Sequence, residues 1–180
     1  MDPVTFPQNY FELFDLKPDY DLDDQDLASR FRKLQNAVHP DKYAASSDLE
    51  RRLAMQQSGY INQAYQTLRS PLLRAKHLLK LKNRDMDNDK GSSMDPEFLE
   101  QQMKLRESLE QAQLSDEPEN RILALSTHIK QGLGELTAKI SGLFAQGDSD
   151  QLDKIQDLVR RMQFMSKLLE EVNAIEDQYL

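Results

Sequence analysis

Cysteine is absent from the 180 residues. That excludes a disulfide framework, a thiolate metal site, a cysteine nucleophile and cysteine ligands for an iron–sulfur cluster. Material for β-structure is also scarce: runs of Val, Ile and Thr are few, and six Gly and seven Pro leave little for hairpins or central strands. The class expected is all-α. No stretch is long enough to span a bilayer. Met1 to Gln8 contains Pro3 and Pro7 and no basic start followed by an apolar run, so a secretory signal is not expected there and a cytoplasmic protein is. Those eight residues are either a natural extension or a cloning remnant.

The hydrophobic share is 38%, and its Leu, Ile, Val, Met and Phe recur at core-building spacings, so the chain is expected to fold. Its length allows one domain or two small ones, since compact domains run to about 100–150 residues. The net charge of -8 is unevenly spread: residues 1–94 hold 14 Lys and Arg against 14 Asp and Glu, while residues 95–180 hold 9 against 17. An acidic half repels phosphate backbones, which argues against nucleic acid as the main partner.

Lys82 to Met94 is polar and aperiodic, contains Gly91, and is followed by Asp95-Pro96-Glu97, a helix cap with proline at the first helical position. A domain boundary is expected there. Before it, the apolar segment Tyr10-Phe11-Leu13-Phe14 leads to a loop around Pro18. Leu27, Phe31, Leu34 and Val38 then mark one face of a helix, with Arg32, Lys33 and Asn36 opposite. Pro40 disfavours helix at His39, so that helix ends near Val38 and His39-Pro40-Asp41 is a loop. A third helix is expected over about Asp48 to Arg69, and Ser70-Pro71 caps and restarts a leucine-rich fourth, Leu72 to Leu81.

Beyond the boundary three helical patterns follow. The middle one keeps Ile122, Leu125, Ile129, Leu133, Leu136, Ile140 and Leu143 on one face. Ser115 to Pro118 reads as a cap and start, and Gln146 to Asp150, with Gly147, as a stop and a cap, so an antiparallel three-helix bundle is expected. Gly132, Gly134 and Gly142 interrupt the middle helix at roughly 1 kcal/mol each relative to Ala where exposed, and close helix packing is the use expected of some of them. The first helix places Phe98, Leu105, Leu109 and Ala112 on one face and Leu99, Met103 and Glu107 partly round from it. The last helix carries one stripe of Ile155, Val159 and Met162 and another of Phe164, Leu168 and Ile175. Periodicity leaves open whether the bundle consumes both sets.

His39-Pro40-Asp41-Lys42, between a basic helix and a second antiparallel one, resembles the J domain, through which DnaJ-like proteins stimulate chaperone ATPases. The tripeptide alone is an ordinary turn. The resemblance rests on its setting: Tyr10-Phe11-Leu13-Phe14 before it, Phe31-Arg32-Lys33-Leu34 just upstream, and Ile61-Asn62-Gln63-Ala64-Tyr65 with Leu68 and Pro71 downstream. It implies that the loop docks on an ATPase and that Arg30, Arg32, Lys33 and Lys42 meet an acidic surface beside His39, Pro40 and Asp41. Proline limits how far the flanking residues wander, so less ordering entropy is lost on binding. The chain has no phosphate-cradling glycine loop and no nucleophile or second base for His39, so it is expected to be no enzyme but an activator of a partner's ATPase. His77 and His128 lie in helical segments and call for no catalytic role.

From Gln8 onward, the leucine-rich fourth helix and the acidic three-helix second half make the whole chain similar to the HscB family of J-domain co-chaperones in iron–sulfur cluster assembly. The resemblance implies a J domain over 9–82, a linker over 83–94 and a scaffold-binding domain over 95–180, in an L-shaped arrangement. It also implies two partners, an HscA-type chaperone and the IscU scaffold, which would carry any cluster. Leu99, Met103, Glu107 and Phe164 match the family's scaffold-binding positions, while Glu100 stands where an apolar residue is familiar and Lys104 where an acidic one is. The paired Cys-x-x-Cys motifs of eukaryotic relatives are absent, which implies a bacterial form needing no metal or other cofactor. A monomer is expected. The alternative is a general J protein that delivers unfolded clients to a DnaK-type chaperone.

Overall fold

The computed structural model describes residues 7–39, 47–86 and 95–178, and among these it contains helices and turns but no strand. The helices are α1 (Tyr10–Leu13), α2 (Asp24–Ala37), α3 (Asp48–Arg69), α4 (Pro71–Leu81), α5 (Pro96–Gln113), α6 (Pro118–Gln146) and α7 (Leu152–Glu176), with one 3-10 turn at Ser149–Gln151. The chain divides into two compact units, Met1–Asn83 and Arg84–Leu180. The all-α class is as expected.

In the first unit α3 packs against α1, α2 and α4. Its start is a capping box in which Ser47 accepts from the Glu50 amide and Glu50 accepts from the Ser47 amide. Ser70 serves twice: it ends α3, and its hydroxyl accepts from the Leu73 amide to open α4, where Pro71 fills the first position. Phe11, Phe14, Leu27, Leu68 and Leu79 are fully buried, at about 1.5–3 kcal/mol each. The N-terminal segment is held by side chains from two helices. The Tyr60 hydroxyl donates to the Pro7 carbonyl, and the Tyr10 amide donates to His77 Nε2 at 3.1 Å.

His77 is 8% exposed and stacks on the Tyr10 ring at 4.5 Å. Burial, and secondarily the charge of Lys80, lowers its pKa below the ordinary 6.5. Only the neutral ring can accept the Tyr10 N–H. The unfolded chain therefore binds a proton near pH 6.5 that the fold refuses, so this contribution to stability is whole above that pH and is lost as pH falls towards the folded pKa. The urea midpoint of the chain should drop between pH 7.5 and 5.5, and His77→Gln, which keeps an acceptor without titrating, should flatten the drop. An equal drop in both would remove His77 as its cause.

In the second unit α6 packs against both α5 and α7. The core joins Leu109 and Ala112 from the end of α5, Ile122, Leu125 and Ile129 from the start of α6, and Leu168 and Val172 from the end of α7. Such pairing of starts with ends is antiparallel. All seven residues of the long α6 stripe are buried or half-buried. Gly147, at φ 69, ends α6 in the left-handed region that glycine enters at no steric cost. Of the three helix glycines only Gly132 meets a neighbour: an added Cβ would lie 2.5 Å from Met165 Cε, whereas Gly134 and Gly142 face open space. The α5–α6 turn departs from expectation. Glu117 stands at the cap of α6 without a side-chain bond to the helix amides, while Ser115, just past the end of α5, donates its hydroxyl at 2.8 Å to the Ala112 carbonyl, which also accepts the Ser115 amide at 3.4 Å.

Candidate functional site

The first candidate surface lies on the α2–α3 pair. The Phe31 and Tyr65 rings stack at 4.1 Å, and Gln35 ties the helices by donating to Asn62 Oδ1 at 2.7 Å and accepting from the Ser58 hydroxyl at 3.0 Å. These contacts join α2 to α3 just before His39, which is exposed. Pro40, Asp41 and Lys42 lie outside the described residues.

The three expected cations of α2 differ in their surroundings. Arg32 and Lys33 are exposed, with Arg32 at the edge of a groove of about 440 Å³ that also includes Asp24, Tyr65 and Arg69. Arg30 is half-buried and donates to the Phe14 carbonyl at 2.9 Å, the Asp15 carbonyl at 2.8 Å and Asp26 Oδ2 at 2.9 Å. Its hydrogen bond to Asp26 raises its pKa. The guanidinium thus satisfies carbonyls at the end of α1, where Asp15 turns back at φ 53. Arg30→Ala should lower the melting temperature of the chain more than Arg32→Ala does, while Arg32→Ala should leave melting unchanged. Equal shifts would show that the clamp contributes nothing. Arg30 lies three residues after Leu27, on the core side of α2, and that spacing was the available signal.

The second candidate surface is on α5 and α7. Leu99 is 42% and Met103 72% exposed, and Glu107 is exposed beside them. The bundle does not consume these apolar side chains. Glu100 and Lys104, the two departures from the family pattern, answer each other: Lys104 Nζ lies 2.6 Å from Glu100 Oε1. This hydrogen-bonded ion pair lowers the carboxylate pKa and raises that of the amine.

Phe164 has different neighbours. It is half-buried against the bundle core, with Phe98 edge-on at 5.9 Å, and it shares with Phe98, Gln102 and Arg106 a cleft of about 430 Å³ between α5 and α7. Leu99, Met103 and Glu107 do not line the cleft and face outward one position round the helix. Two guanidiniums lie over the rings, Arg106 on Phe164 at 5.8 Å and Arg161 on Phe98 at 5.3 Å. The sequence pattern placed Phe98 in the core, and these arginine contacts carried no periodic signal.

Among the described residues no three His, Asp or Glu side chains gather as metal ligands, and no helix is long and apolar enough to cross a membrane.

Residues 94–173 match the family model described as the HSCB C-terminal oligomerisation domain. The chain is 43% identical to the co-chaperone protein HscB homolog of Shewanella pealeana over 173 residues, which cover 96% of this chain and 99% of the relative. Among solved structures it is similar to the chaperone HscB from Vibrio cholerae, with a TM-score of 0.81, 40% identity and coverage of 96% of this chain and 99% of the other. It is also similar to the human co-chaperone protein HscB, with a TM-score of 0.83, 28% identity and coverage of 98% and 84% respectively.

Proposed function

The chain belongs to the HscB family of co-chaperones and is not an enzyme, and we propose that it delivers an IscU-type iron–sulfur scaffold to an HscA-type chaperone in the bacterial cytoplasm and triggers that chaperone's ATP hydrolysis. Residues 9–82 act as the J domain, with His39, Pro40, Asp41 and Lys42 at the contact and Arg32 and Lys33 steering the approach. Residues 83–94 link it to the scaffold-binding domain, 95–180. The observation that carries the reading is the exposure of Leu99 and Met103 on the outer face of α5: side chains that a bundle leaves in water at this size suit a partner's apolar surface. Glu107 beside them sets the sign of charge that the partner presents, and Phe164 extends the apolar contact onto α7.

Holding both partners on one chain raises the local concentration of client at the trigger, so coupling needs no shape change in the co-chaperone. No group of its own handles ATP. The active form is read as a monomer carrying one scaffold. The matched domain's description as an oligomerisation domain makes mass by light scattering the check on that count.

The test is the steady-state ATPase rate of purified HscA with this protein, alone and with IscU. Stimulation that the scaffold enhances is the expected result. Stimulation of DnaK but not HscA would keep the J domain and overturn the iron–sulfur assignment.

A further inference from the structure

We propose that the cleft between α5 and α7, floored by Phe98 and Phe164 and rimmed by Arg106, Arg160, Arg161 and Lys167, docks an acidic peptide segment of the protein that the second unit binds. The partner's identity rests on the scaffold reading above, whereas the chemistry of the cleft does not.

The charge distribution is the first argument. Residues 95–180 carry only 9 Lys and Arg against 17 Asp and Glu, yet four of those cations line this one cleft, where three carboxylates pair with them: Asp95 with Arg161, Asp157 with Arg160 at 2.6 Å, and Glu171 with Arg106. A cationic recess has been set into an otherwise acidic domain.

The geometry is the second. Arg161 donates to Asp95 at 2.6 Å and Arg106 to Glu171 at 3.5 Å, so each guanidinium commits one N–H and keeps others for an incoming oxygen. Exposed pairs of this kind hold weakly and exchange readily for another carboxylate. The contacts over Phe98 and Phe164 hold both guanidiniums at the cleft before any partner arrives, which reduces the ordering lost on binding. Lys167 is exposed and makes no ion pair among the described residues.

Size and field select the ligand. A recess of about 430 Å³ with aromatic walls takes one or two side chains, a carboxylate with an apolar neighbour, and not a nucleic-acid backbone, whose further phosphates would lie outside the cleft against an acidic domain surface while a peptide needs only one or two carboxylates inside it. The outer face of α5 and the cleft then divide the work. Leu99, Met103 and Glu107 take apolar and basic groups of the partner, and the cleft takes its acidic ones, so a partner with the wrong order of charges is rejected.

The experiment titrates the isotope-labelled full chain with a blocked peptide of alternating Glu and Leu and with its Lys-for-Glu counterpart, following backbone amides by NMR. The Glu peptide should shift amides around Phe98 and Phe164, and the double variant Arg160→Glu, Lys167→Glu should weaken it about tenfold or more, as should exchange of Glu for Lys in the peptide. Arg160→Gln with Lys167→Gln should do the same to a smaller extent, and it stands in if charge reversal unfolds the bundle. Shifts that are absent, lie elsewhere, or are indifferent to these changes would overturn the proposal. Tighter binding of pyrophosphate or an oligonucleotide than of the Glu peptide would also overturn it. Purified IscU provides the separate arm: if it fails to bind the unaltered chain the scaffold reading falls, while the peptide titration still decides the cleft.

Discussion

Exchange of Asp41 for Asn is expected to return the ATPase rate of the partner chaperone to near its unstimulated value while leaving the melting temperature and scaffold affinity of this chain unchanged. The substitution keeps size and one carbonyl oxygen but removes the charge. A charge-assisted hydrogen bond at a water-excluded contact is worth about 1.5–3 kcal/mol, a factor of roughly ten to a hundred in the occupancy of the triggering contact. Compensation from α2 should be limited, because Arg32 and Lys33 are exposed and their attraction for a partner would be solvent-screened, speeding encounter more than it deepens binding. Raising the salt concentration should therefore slow association in the unaltered protein yet leave maximal stimulation at saturating co-chaperone largely intact. In the Asn variant saturation itself should yield little hydrolysis. Normal stimulation by Asp41→Asn at saturation would place the trigger elsewhere and reduce the loop to a turn.

The break between α2 and α3 was legible in the sequence because three constraints coincide at one point. A basic helical pattern ends, a proline disfavours its continuation, and a new helical pattern begins about ten residues on, which agrees with α2 ending at Ala37 and α3 starting at Asp48. Helix positions elsewhere followed from apolar spacing and from proline at the start of α4, α5 and α6. What spacing cannot carry is the assignment of a polar side chain to one of two nearby roles. Arg30 and Arg32 are both cations on one basic helix, yet they sit about 200° apart around it, and one clamps α1 while the other meets solvent. His77 is harder still. Its value lies in a contact with Tyr10, 67 residues away, and no local pattern announces such a pair. On α5 the ambiguity was one of number: an apolar residue pointing sideways from a bundle helix serves the core or a partner according to how many neighbours the helix has, and only packing counts them. Leu105 turned inward against the core while Met103, two residues away, remained 72% exposed.

Packing also sets the last expected result. Ile129→Ala should destabilise the second unit by about 2–5 kcal/mol, lowering its melting temperature by about 10 °C or more, whereas Ile129→Val should cost about 1 kcal/mol. Ile129 is 0% exposed in the first half of α6 and shares one cluster with Leu109 of α5 and Leu168 of α7, so the deleted atoms leave a cavity that three helices border. Collapse around it is resisted on the α7 side by Gly132 against Met165, already closer than a Cβ would allow. On the scaffold-binding reading Leu99, Met103 and Phe164 would reach a partner from two different helices, whose mutual placement rests on this core together with the Phe98–Phe164, Arg161–Asp95 and Arg106–Glu171 contacts. Scaffold binding should accordingly fall well before the unit unfolds, as α5 and α7 lose register. The first unit has its own buried set in Phe11, Phe14, Leu27 and Leu68, so scaffold-independent stimulation of the chaperone should survive at temperatures where scaffold-dependent stimulation has gone. Parallel loss of both activities on heating would show that the two units unfold as one, and the division of labour between trigger and client holder would then have no basis in stability.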